Sequence, residues 1–116
     1  MSYSINGTEI SLQNEPQLKD GTLWVPLRGL SEALGAKVDW DPDNKVAILY
    51  HGQYVVTIKI GDTTVDVDGE KLELQAAPYL DSGDSWVPAK FFDKPLGYNV
   101  NADWQNKKVD ITNPNQ

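Results

Sequence analysis

The chain has 116 residues, no cysteine and a formal net charge of −7, with a pI near 4.4. That length suffices for one domain with a core of its own, and the missing thiols exclude disulfides and thiolate metal sites. The acidity opposes binding to nucleic acid or anionic lipid, and no run approaches the ~20 apolar residues of a membrane span.

Residues 1–7 lack the basic and apolar regions of a secretory signal. The protein therefore either stays in the cytoplasm or is a piece of a longer exported chain. Asn6-Gly7 then reads as a two-residue hairpin turn pairing Tyr3 with Ile10. After an irregular stretch around Pro16, Trp24-Val25-Pro26 lies in a short strand that the proline ends, since proline has no N–H for a ladder but suits the first turn of a helix. Leu27, Leu30 and Leu34 follow at helical spacing, with Gly35 placed as a left-handed C-cap. Lys37–Trp40 and Lys45–Tyr50 are strands joined by the polar turn Asp41–Asn44. Between 54 and 60, alternation puts Val56, Ile58 and Ile60 on one buried face.

The pattern then starts again. Shifted by 62, residues 5–38 align with 67–100 without a gap and are identical at twelve of thirty-four positions, against roughly two by chance. Asp68-Gly69 makes the second hairpin, with Val65 opposite Leu72 and Thr63 opposite Leu74. Trp86-Val87-Pro88 repeats Trp24-Val25-Pro26. Pro95 stands where Ala33 stood and disfavours helix at Lys94, so the second helix shrinks to about a turn and a half near Pro88–Asp93, with Phe91 and Phe92 replacing the leucines. Strands follow at 99–104, here with two extra residues so that Trp104 matches Trp40, and at 108–112. Residues 113–116 form a frayed tail.

These elements make an α+β class: a twisted, mainly antiparallel β-sheet around one well-formed helix and one short helix. It is built from two repeats, about 3–50 and about 54–112, sharing one core in a single domain spanning 1–116. Trp24, Trp40, Trp86 and Trp104 sit at repeat-equivalent places beside Val and Leu and are all expected in that core.

Val25-Pro26-Leu27-Arg28, Glu32–Pro42 and Val46-Ala47-Ile48 resemble the pattern of the copper amine oxidase N-terminal-like domain, the stalk module of many bacterial exported proteins. Val67-Asp68-Gly69, Trp86-Val87-Pro88, Leu96-Gly97 and Asp103-Trp104 match it a second time, without the Leu-Arg after the proline. The resemblance covers nearly the whole chain. It implies a non-catalytic accessory module of the cell envelope or the extracellular space, whose partners are other envelope domains or proteins and whose own state is monomeric.

Chemical readings of the residues are few. Amine oxidation needs three histidines on copper, and His51, beside Gly52 in an expected surface turn, stands alone. Asp39, Asp41 and Asp43 open like a calcium loop, but Asn44 replaces the turn glycine and Tyr50 the bidentate glutamate, so a β-turn at Pro42–Asn44 is the expected structure. With no cysteine, no G-x-S-x-G elbow and one imidazole, no nucleophile–base pair is legible; a hydrolase is the remotest reading, and no catalytic residue, metal or cofactor is expected. Aromatics leave one alternative, a module that binds cell-wall glycan or peptide. Tyr54, Tyr79 and Tyr98 have no aromatic counterpart in the other repeat and are its candidate ligand-binding residues.

Overall fold

The computed structural model describes residues 2–114. Of the tail expected at 113–116, the last two residues lie outside that range. The order of elements is β1 (Tyr3–Ile5), β2 (Thr8–Ile10), β3 (Gln17–Lys19), β4 (Thr22–Pro26), α1 (Leu27–Ala33), β5 (Lys37–Asp41), β6 (Val46–His51) and β7 (Tyr54–Lys59). It continues with β8 (Thr64–Val67), β9 (Glu70–Glu73), β10 (Tyr79–Asp81), β11 (Asp84–Pro88), a 3₁₀ turn (Ala89–Phe92), β12 (Asn99–Asp103) and β13 (Lys108–Thr112). Among the described residues the class is α+β and sheet-dominant, with one α-helix.

The strands do not form the single sheet expected. They form three, in the orders β12-β13-β1-β2, β10-β11-β4-β3 and β5-β6-β7-β8-β9. The Pro16 and Pro78 spacers separate each opening hairpin from the next one, and Pro26 and Pro88 stop β4 and β11. Among the described residues pairing is antiparallel except between β1 and β13, which run parallel.

Both hairpin registers agree with expectation: Tyr3 faces Ile10, and Val65 faces Leu72. Asn6 and Asp68 carry positive φ, 49° and 50°, in front of their glycines, as a two-residue turn requires. Helix α1 buries Leu27 and Leu30 and ends in a Schellman motif. Gly35, at φ 89°, donates to the Glu32 carbonyl and Ala36 donates to that of Ser31. The second helix is reduced to the 3₁₀ turn, where Phe91 and Phe92 meet edge to face and are fully buried. Removing two such rings from water contributes about 1.5–3 kcal/mol each.

One buried cluster draws on both halves of the chain: Val25, Leu27 and Leu49 with Ile58, Val87, Phe91, Val109 and Ile111. The seam is the antiparallel pair β4–β11, in which Val25 opposes Val87, Trp24 opposes Pro88 and Pro26 opposes Trp86. Val25 and Val87 differ by the shift of 62, and that shift carries Trp24 and Pro26 onto Trp86 and Pro88, so the seam is its own mirror about the valine pair.

Two tryptophans depart from the expected core. Trp24 and Trp86 are buried, each indole N–H donating to a carbonyl five residues back, Lys19 and Asp81. Trp40 is half-buried, and Trp104 is 57% exposed. The reason is register. No two-residue insertion precedes Trp104: β5 and β12 keep the shift of 62, so Ala102 is the counterpart of Trp40 and Trp104 takes the turn position of Pro42. The turns themselves correspond. Asp41 accepts the backbone N–H groups of Asp43 and Asn44 and the Asn44 side-chain amide, and Asp103 does the same with Gln105 and Asn106.

Candidate functional site

A groove of about 470 Å³ opens where the start of α1, strand β5 and the β10–β11 hairpin meet. Its floor is the buried trio Leu27, Val38 and Ala47, and Trp40 and the exposed Leu80 flank it. Local sequence explains the placement. Pro26 starts the helix so that Leu27 turns inward and Arg28 outward, while the period of two in β5 puts Val38 and Trp40 on one face. The β10–β11 hairpin reaches across from the other half, turning at Ser82-Gly83 with φ 55° and 82°.

The groove has a counterpart in the other half, lined by Ala89, Lys90 and Ala102 beneath the β3–β4 hairpin, and it holds only about 120 Å³. The linings differ at two corresponding positions. At the shift of 62 Ala102 corresponds to Trp40 and Lys90 to Arg28, the Lys90 ammonium donating to the Val100 carbonyl at 2.8 Å. Gln75 also donates to Thr22 at 3.2 Å across its lining. In the first half Arg28 turns away toward Glu32, 3.4 Å distant, with both side chains about half exposed. The Asn14 amide reaches Asp84 at 2.6 Å and fixes the hairpin edge of the groove. The open groove thus offers an apolar floor, an indole, one guanidinium, and the carboxylates of Asp81 and Asp84.

Ser82 and Ser85 also line the groove, and no imidazole does. His51 is not the free turn residue expected: it ends β6, partly buried, with Nε2 2.6 Å from the Tyr98 hydroxyl and Nδ1 buried without a protein partner. Asp39, Asp41 and Asp43 do not converge. Asp41 is committed to its turn, and the Asn44 amide holds its carboxyl below the usual carboxylate range. Asp103 is lowered by the Asn106 amide in the same way. Among the described residues no cluster of histidine and carboxylate side chains has the makings of a metal site.

The three candidate tyrosines are not brought together, and none lines the groove. Tyr54 is 51% exposed and pairs across the strand with His51. Tyr98 packs partly buried against the core with its ring 5.4 Å from that of His51, and burial pushes its hydroxyl pKa up. Tyr79 lies on a different sheet, its ring 4.8 Å from that of Trp24 with the Lys19 ammonium 4.2 Å from the ring centre. Matching Trp40 with Trp104 hides the groove in the sequence. Kept in gapless register, Trp40 against Ala102 and Leu27-Arg28 against Ala89-Lys90 are the signal.

Residues 4–111 match the family model described as the copper amine oxidase N-terminal domain. A curated relative described as a protease inhibitor, from Brevibacillus choshinensis, is 31% identical over 102 residues. The alignment covers 88% of this chain and 31% of the relative, so the chain spans about a third of that protein's length.

Proposed function

This chain belongs to the copper amine oxidase N-terminal domain family, a non-catalytic module, and from that premise we propose that it is an accessory module of a larger envelope protein that binds a polypeptide through the Trp40 groove. The observation that carries the reading is the asymmetry between two equivalent places. One is small and bordered by the hydrogen bonds of Lys90 and Gln75, and the other is open over an indole and three charged groups. A groove with an apolar floor and a few placed polar groups is how recognition sites are commonly built. The relative's description supports a polypeptide as the occupant, and its threefold greater length supports a module working beside others.

The two halves arise, in this reading, from duplication of one unit. The recurrence of element bounds at a shift of 62 and the self-matching seam support that origin. The second half kept the buried framework and lost the groove. The module acts as a monomer in or outside the cell envelope, with neither catalysis nor cofactor.

A photoreactive residue in place of Leu80, at the groove, tests the binding role against the same residue in place of Tyr54, on another sheet. Cross-links to one defined polypeptide from position 80 and none from 54 are expected in the envelope fraction. Equal or absent labelling at both removes the groove from the function.

Wall glycan is the second reading, favoured by the half-exposed indole of Trp40 beside Asp81 and Asp84, a platform that also suits a sugar ring. Co-sedimentation with purified peptidoglycan, abolished by Trp40→Ala, would establish it in place of the polypeptide.

A further inference from the structure

The chain's first and last strands are neighbours, and they run the same way. β1 pairs with β13 in parallel, Tyr3 with Val109, Ser4 with Asp110 and Ile5 with Ile111. The ladder is closed at both ends, by Val109 N–H to the Ser2 carbonyl at 2.8 Å and Asn6 N–H to the Ile111 carbonyl at 2.8 Å. Beyond it, Asn113 N–H donates to the Asn6 side chain, and within it the Ser4 hydroxyl donates to Asp110. The pair is also well embedded. Tyr3, Val109 and Ile111 are all at most 1% exposed, and β2 and β12 flank the two strands.

In a parallel pair made by the two chain ends, the incoming chain meets the sheet at one end and the outgoing chain leaves from the other. Tension drawn through the chain therefore pulls β1 and β13 along their length in opposite directions. All rungs are loaded together, and none yields until several yield at once. Had the strands been antiparallel, both ends would lie at the same edge and the rungs would open one by one. The equivalent place in the other half shows that direct pairing is not a necessity of the architecture: there β7 lies between β6 and β8. From this geometry we infer that the module carries mechanical load, the β1–β13 ladder acting as a clamp when neighbouring segments of a longer chain are pulled apart. The inference rests on the accessory-module reading, in which the module stands within a longer protein, as the matched segment does in the relative.

Forced unfolding is governed by the barrier to unfolding, so it reads the clamp directly. The natural chain has no cysteine, which allows handles to be placed at will. In one variant Ser2→Cys and Pro114→Cys load the ladder in shear. In a second, Thr8→Cys and Pro114→Cys attach both handles at the same end of the ladder and peel it. Both variants are first matched by equilibrium denaturation, so that a difference in force is not a difference in stability. At one loading rate the shear variant unfolds at a force several-fold above the peeled one. Equal forces, or a stronger peeled variant, overturn the inference. Pulling involves no partner, so that failure leaves groove binding standing, and a failure of groove binding leaves the clamp standing.

Discussion

Replacing Val25 and Val87 by alanine probes the seam on which the two halves depend. Both side chains are fully buried and oppose each other in the β4–β11 pair. Each substitution removes two carbons, a transfer cost of about 1.6 kcal/mol at ~0.8 kcal/mol per buried group. A cavity of about 50 Å³ adds about 1.2 kcal/mol if the surroundings do not relax, so each single change costs about 1.5–3 kcal/mol. Because the seam mirrors itself, the two singles agree to within about 0.5 kcal/mol, and the double departs from their sum by at least that much, as contacting residues do. Urea denaturation followed by fluorescence and by far-UV circular dichroism reads these values as shifts of midpoint at constant slope. Coincident single transitions are expected for all four proteins. Two separated transitions, or a Val25→Ala cost with none for Val87→Ala, would refute a core shared across the seam.

Two further predictions use the turns and the tryptophans. Asp41 and Asp103 have folded pKa values held below their ordinary value by the turn amides, so they favour the fold above pH ~4 and that support is lost as pH falls through their folded values. Asp41→Asn with Asp103→Asn should flatten the decline of melting temperature between about pH 4 and pH 2, and an unchanged acid limb would contradict the assignment. Trp86→Ala should cost about 3–5 kcal/mol, whereas Trp104→Ala, at an exposed turn, should stay within about 0.5 kcal/mol. Matching losses of melting temperature would restore Trp104 to the core.

Local features were the most legible part of the sequence. The Asn6-Gly7 and Asp68-Gly69 registers, the Gly35 cap and the short second helix follow from φ demands and proline sterics, which act over a few residues. Sheet membership was not legible, because which hairpin joins which depends on contacts between residues sixty or more positions apart, as in Val25–Val87 and Tyr3–Val109. Trp104 shows how a chemical likeness misleads. Matching tryptophan to tryptophan broke the register that Asp41/Asp103, Asn44/Asn106 and Lys45/Lys107 keep, with positive φ at both lysines. That misplacement hid the groove, since the asymmetry of Trp40 against Ala102 is visible only in the unbroken frame. His51 belongs to the same class. Its contact with Tyr98 joins segments 47 residues apart.

The claim that the open groove of the first half is the binding surface is tested most directly by the cross-linking yield from position 80 in two tryptophan variants. Trp40→Ala removes the indole that lines the groove, and Trp104→Ala removes the exposed one in the other half. A buried tryptophan anchor is worth about 2 kcal/mol or more at an interface, so Trp40→Ala should lower the apparent affinity about thirtyfold. Trp104→Ala should leave it unchanged, with both variants melting as folded proteins. Undiminished labelling by Trp40→Ala, or its loss in Trp104→Ala alone, would contradict the account.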